Sequence, residues 1–86
     1  PVVLVEVLSD STEAYDRGEK FAHYRRLSAL REYVLVSQGE PRIEVFRRTP
    51  SGTWELFEVG PGGQAMLESI GVALAVDDVF ANALSS

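Results

Sequence analysis

The stretch Val2-Val3-Leu4-Val5-Glu6-Val7-Leu8 limits the fold more than any other part of the chain. A short run rich in Val and Leu reads as a strand covered on both faces. Glu6 interrupts it, and an ionised carboxylate buried there is costly unless a cation or a metal compensates it. A second charge in an apolar setting follows. Asp16-Arg17-Gly18-Glu19 has the pattern of a capping box, with Asp16 as N-cap and Glu19 reaching back. A helix is therefore expected over residues 17–27, with Phe21, Tyr24 and Leu27 on its apolar stripe. At the helical period, positions 20, 24 and 27 share a face, so Lys20 points inward near the helix start. A buried carboxylate and a buried amine on consecutive elements have the character of a site.

The remaining elements follow from alternation and turn signals. Residues 9–15 are polar and turn-like, and residues 32–36 read as the second strand. Gln38-Gly39-Glu40-Pro41 is a turn before a strand over residues 42–48, with Ile43, Val45 and Arg47 on one face. Thr49-Pro50-Ser51-Gly52 closes a hairpin onto a strand over residues 54–59. Gly60-Pro61-Gly62-Gly63 is a loop; no Lys-Ser/Thr follows it, which speaks against a phosphate cradle. Residues 70–76 read as a short strand, and Asp77 as the cap of a last helix carrying Val79, Phe80, Ala83 and Leu84. The expected fold class is α+β or α/β: a mixed sheet with a strand–helix–strand crossover and antiparallel hairpins. Eighty-six residues make one small domain.

Composition narrows the function classes. The chain has no cysteine, so neither a disulfide framework nor a thiolate metal site can form. No run is long enough to span a membrane, and a cytoplasmic protein is the default expectation. The net charge of −5 argues against indiscriminate nucleic-acid binding but leaves room for a local basic face. Arg25, Arg26 and Arg31 form one such group in sequence, and Arg42, Arg47 and Arg48 another. His23 is the lone histidine, which disfavours zinc hydrolysis, and Ser9, Ser11 and Thr12 have no His-Asp set to make a triad. Trp54 and Tyr24 read as core residues first, with Tyr24 as a secondary candidate for holding a phosphate.

Two readings of Glu6 and Lys20 stay open on periodicity alone. In one, they form an ion pair that fixes helix register. In the other, Glu6 is a ligand for a hard divalent cation and Lys20 acts on a water or a phosphoryl oxygen, a pairing suited to phosphodiester cleavage.

The run Val5-Glu6-Val7-Leu8-Ser9, then Ser11-Thr12-Glu13, Tyr15-Asp16-Arg17-Gly18-Glu19-Lys20-Phe21, Tyr24-Arg25 and Glu32-Tyr33-Val34-Leu35-Val36 closely resembles the Uma-two family. These are bacterial restriction-endonuclease-like proteins of the PD-(D/E)XK nuclease superfamily, and the resemblance reaches to the final helix. It implies a restriction-endonuclease-like fold and a DNA endonuclease dependent on Mg²⁺ or Mn²⁺. It also implies Glu6 as the acidic strand residue and metal ligand. Where the superfamily's usual lysine would stand this chain has Leu8, and Lys20 matches a lysine moved to the following helix. Family members carry a further aspartate, in a Pro-Asp motif, on an earlier strand; here Pro1 is followed by Val2. Residues 1–86 are thus expected to be the C-terminal part of one such domain, truncated at the N-terminus and inactive alone. Where the family commonly has proline after Ser9, this chain has Asp10. The partners expected are DNA for the full-length protein and a second copy through an uncovered sheet edge. The alternative is a non-catalytic binding or structural module that keeps the nuclease fold.

Overall fold

The computed structural model describes residues 2–8, 16–37 and 40–85, with only the backbone described at 16, 17 and 82–85. Strand β1 (Val3–Leu8) is followed by a π-helical turn over Asp16–Lys20 that runs directly into a single α-helical turn, α1 (Phe21–Tyr24). Then come β2 (Glu32–Ser37), β3 (Ile43–Arg48), β4 (Trp54–Val59), β5 (Gln64–Leu67), β6 (Val72–Ala75) and α2 (Val76–Ser85). The first four strands form one sheet in the order β1-β2-β3-β4. Its β1–β2 pair is parallel and the other two pairs are antiparallel, while β5 and β6 make a separate hairpin. The mixed sheet with one helical crossover and antiparallel hairpins is the architecture the periodicity predicts.

Strand β2 is central, and its Tyr33, Val34 and Leu35 are fully buried. Alternation sends these residues to opposite faces, and each face has its own apolar cluster. On one face, α1 lays Phe21 and Tyr24 over Leu8, Tyr33, Leu35 and Phe46. On the other, the β5–β6 hairpin and α2 cover Val34, Ile43 and Val45 with Ala65, Leu67 and Val76.

Four local expectations are corrected. Strand β1 is not covered on both faces: Val5 and Val7 are 52% and 59% exposed, because the hairpin layer spans β2 and β3 and engages β1 only at Val3. Helix α1 stops at Tyr24, leaving Leu27 partly exposed and sending Leu30 into the core instead. Past Tyr24 the backbone N–H groups of Arg26, Leu27 and Leu30 reach three residues back, in turns and not in a continuing α-helix, and the Arg48 side chain donates to the Arg25 and Leu27 carbonyls at 2.8 and 3.1 Å. Just beyond, Arg31 and Glu32 donate their backbone N–H groups to the Val2 carbonyl, which starts β2 beside β1. Strand β5, which the sequence did not announce, alternates buried Ala65 and Leu67 with exposed Gln64 and Met66. Strand β6 is shorter than expected because Gly71, at φ +66°, turns the chain and leaves Ile70 half exposed. Asp77 lies in the first turn of α2, and its carboxylate accepts the Gly62 N–H at 3.2 Å, pinning the glycine loop.

Candidate functional site

Parity places Leu4, Glu6 and Leu8 on the face of β1 that α1 covers. The helical segment is held there by aromatic packing: the Phe21 ring lies 4.4 Å from Phe46 and meets Trp54 edge-on at 5.4 Å. Tyr24 meets Tyr33 edge-on at 5.4 Å. Because Lys20 directly precedes Phe21, this packing fixes where its amine can reach. Lys20 Nζ stands 3.8 Å from Glu6 Oε2, and the Tyr24 hydroxyl donates to Glu6 Oε1 at 3.2 Å. The structure therefore brings together the two residues singled out in the sequence and adds Tyr24, one turn along from Lys20.

The burial of this pair is shallower than the apolar run suggests. The Lys20 and Glu6 side chains are 34% and 24% exposed, since β1 lies at an edge of the described sheet. The carboxylate is sheltered but reachable. The Lys20–Glu6 distance exceeds a hydrogen bond, so the amine acts on the carboxylate as a nearby charge.

Sequence reasoning missed Glu44. The register aligns Glu6, Leu35, Glu44 and Glu58 in one row across the sheet, on the face that carries α1. Glu44 is two strands from Glu6, about 10 Å at the usual strand spacing. It is 1% exposed, with Arg42 Nε 3.4 Å from its carboxylate. Alternation in β3 assigns Glu44 to the face opposite Ile43 and Val45, which would be solvent if only one face were covered; Phe46 on the same side shows that it is not. Arg42 also donates to the buried Ser37 hydroxyl at 3.3 Å.

The second missed cluster lies on the opposite face. Glu32 is 1% exposed and accepts from Arg47 Nε at 3.0 Å, from the Glu68 and Ser69 backbone N–H groups at 3.2 and 2.9 Å, and from the Ser69 hydroxyl at 2.5 Å. Burial works to raise its pKa, but the Ser69 bonds and the Arg47 guanidinium outweigh it and hold the carboxyl below its ordinary value. This cluster closes the β5–β6 hairpin onto the sheet. No neighbouring polar pattern marked Glu32 beforehand, because its partners come from a turn 36 and 37 residues away.

His23 is exposed and meets the Tyr24 ring edge-on. Trp54 packs in the aromatic cluster under the Arg48 guanidinium. Ser9, Asp10, Ser11, Thr12 and the side chain of Asp16 lie outside the described residues.

The mixed four-stranded sheet, with one parallel pair, a separate hairpin and few helices, fits a restriction-endonuclease-like α+β fold. The chain belongs to the Uma2 family, described as "Putative restriction endonuclease", whose family model matches residues 1–77. Among similar proteins, the uncharacterized protein slr1290 of Synechocystis sp. is 40% identical over 80 residues, covering 93% of this chain and 42% of that protein. A second uncharacterized Synechocystis protein, sll1609, is 36% identical over 59 residues, covering 69% of this chain and 33% of that one. The chain thus spans less than half the length of the curated relatives it matches.

Restriction-endonuclease-like proteins typically use divalent metals. Glu6 fits the part of one ligand: it is a partly exposed carboxylate whose other oxygen is oriented by a tyrosine, as outer groups commonly orient metal-binding carboxylates. Among the described residues no three His, Cys, Asp or Glu gather into a metal-binding group. A single carboxylate with waters is within what Mg²⁺ accepts, so the fit is that of a partial ligand set. No helix among the described residues is long and apolar enough to cross a membrane.

Proposed function

We propose that this chain supplies part of the active centre of a metal-dependent DNA endonuclease. Glu6 would hold the cation, Mg²⁺ or Mn²⁺, and Lys20 would be the catalytic lysine. The observation that carries this reading is the convergence of Lys20 and Tyr24 on Glu6 from one helical segment. When bound, a divalent cation supplies a more acidic water and positive charge at the phosphoryl oxygens. The protein's own part follows from the geometry. Tyr24 holds one carboxylate oxygen of Glu6, which fixes the direction of the other. Lys20 keeps a positive charge beside that oxygen, where a phosphate oxygen gaining charge in the transition state would be stabilised. The aromatic packing of Phe21 keeps the amine from drifting along the strand.

That no three His, Cys, Asp or Glu gather into a metal-binding group among the described residues favours a second reading, a binding or structural module without catalysis. A metal titration of DNA cleavage by the full-length protein separates the two. Glu6→Gln is expected to raise the Mg²⁺ concentration needed for cleavage by at least about tenfold, since a neutral amide is a poorer ligand for a hard cation. A full-length wild-type protein that cleaves no DNA with Mg²⁺ or Mn²⁺ would favour the module.

A further inference from the structure

Lys20 sits on a helical segment too short to hold itself in place. The π-helical turn and α1 end at Tyr24, far below the length at which an isolated helix persists in water. The position of the segment therefore comes from tertiary contacts. Phe21 and Tyr24 supply the apolar ones. Beyond Tyr24, Arg48 supplies the polar ones: its Nη2 donates to the carbonyls of Arg25 and Leu27. A cation that donates to carbonyls at the end of a helical segment is favoured by hydrogen bonding and by the peptide dipoles together. Arg48 is itself well fixed. Its backbone N–H donates to the Arg31 carbonyl at 2.9 Å. Its guanidinium lies 4.7 Å from the centre of the Trp54 ring, and Trp54 is its cross-strand partner on β4. Among the described residues no carboxylate pairs with Arg48, so its donors serve the backbone. Trp54 in turn meets Phe21 edge-on, and Phe21 is the residue next to Lys20. Arg48 thus reaches the segment by two routes, directly after α1 and through Trp54 at its start.

We propose that Arg48 is a positioning residue for Lys20. By clamping the chain after α1 and backing Trp54 against Phe21, it fixes how far the Lys20 amine reaches toward Glu6. The proposal rests on reading Lys20 as the catalytic lysine. A lysine is a point charge on a flexible stem, so its amine is placed only as well as the backbone beneath it. The Lys20 amine stands 3.8 Å from Glu6 Oε2, beyond a hydrogen bond, so no direct bond to Glu6 locks it there. The segment's own anchors must do so. A shift of about 1 Å at a catalytic group, caused by a change away from the chemistry, can cost about 10² in rate. Arg48 is placed to have this effect: it touches the segment that carries Lys20 and neither Lys20 nor Glu6 itself.

The test is single-turnover DNA cleavage by the full-length protein with Mg²⁺, beside thermal melting and the nuclear Overhauser contact between the Lys20 and Glu6 side chains. Arg48→Met keeps an apolar stem over Trp54 and removes the donors. It should cleave about tenfold more slowly or worse and lose the Lys20–Glu6 contact. Arg48→Lys keeps a donor and a cation over the ring, and should recover most of the rate and the contact. In a Lys20→Ala background, Arg48→Met should change the residual rate by less than about twofold, because the residue through which Arg48 acts is gone. A purely structural Arg48 would slow both backgrounds equally, in step with the melting temperature, and that result would overturn the proposal. So would an Arg48→Met protein that keeps both the contact and the wild-type rate. Should Arg48→Met not fold, Arg48→Gln takes its place in the same comparison. The nuclease reading fails separately. A wild-type protein that cleaves nothing with Mg²⁺ or Mn²⁺, but whose Lys20–Glu6 contact depends on Arg48, keeps the positioning role and loses the catalytic assignment. Cleavage that needs Lys20 and ignores Arg48 does the reverse.

Discussion

Between Val5 and Val7, a glutamate has two neighbours that offset the cost of its charge: the Lys20 amine at 3.8 Å and the Tyr24 hydroxyl at 3.2 Å. The two differ in kind. A hydroxyl orients, and an ammonium changes the potential. Tyr24→Phe keeps the ring against Tyr33 and removes only the donor, so stability should fall by about 1 kcal/mol or less. If Tyr24 orients Glu6 for metal, the same change should raise the Mg²⁺ requirement of cleavage by the full-length protein by about tenfold. Melting curves beside a metal titration check both. A lowered melting point with an unchanged metal requirement would make Tyr24 purely structural. Strand parity and helical spacing were enough to place Glu6 and Lys20 together, because both are local properties of the chain. Glu44 and Glu32 were not legible in this way. Whether a charged residue on an alternating strand meets water or a second layer depends on what folds over it, and that layer is distant in sequence.

The β5–β6 hairpin is attached to the sheet through Glu32, whose carboxylate accepts four hydrogen bonds from Arg47, Glu68 and Ser69. Its carboxyl is held below the ordinary value of 4.5, so the folded state prefers it ionised. The stabilisation is therefore present above pH 4.5 and is lost as pH falls through the depressed folded value. Glu32→Gln should cost about 1–3 kcal/mol near neutral pH, and the gap between variant and wild type should narrow as pH drops below 4.5. A series of thermal melts across that range tests it; a gap that stays constant with pH would assign the loss to packing alone. At this scale the strands β2, β3 and β4 were readable from alternation and from the Pro-Ser-Gly turn between β3 and β4. Periodicity extends helix α1 to residue 27, whereas the chain past Tyr24 goes into turns braced by the Arg48 side chain, a contact more than twenty residues away in sequence. Strand β5 was missed because Gln64-Ala65-Met66-Leu67 offers a weak, short alternation whose inward residues matter only once Val45 and Ile43 lie opposite.

Across the whole molecule, the least satisfied surface is the outer side of β1. Val5 and Val7 are 52% and 59% exposed, and among the described strands β1 pairs only with β2. Parallel strands are ordinarily covered on both faces, and an open, apolar strand edge invites pairing with another chain. The 86 residues expressed alone should self-associate, and Val5→Thr/Val7→Thr should reduce this without abolishing cooperative melting. Light scattering that finds a monodisperse wild-type monomer would contradict the prediction. The overall mixed-sheet class was legible because strand, helix and hairpin signals agreed; the extent of cover on β1 was not, because an apolar run does not say how many neighbours it has. The central assignment is that Lys20 acts on the reacting phosphate and does not merely pair with Glu6. Single-turnover cleavage by the full-length protein, measured for wild type and Lys20→Ala with melting temperature alongside, tests it most directly. The expected result is a cleavage rate lower by about 10² or more with DNA affinity and melting temperature nearly unchanged. A Lys20→Ala protein that melts earlier but cleaves at the wild-type rate would contradict it.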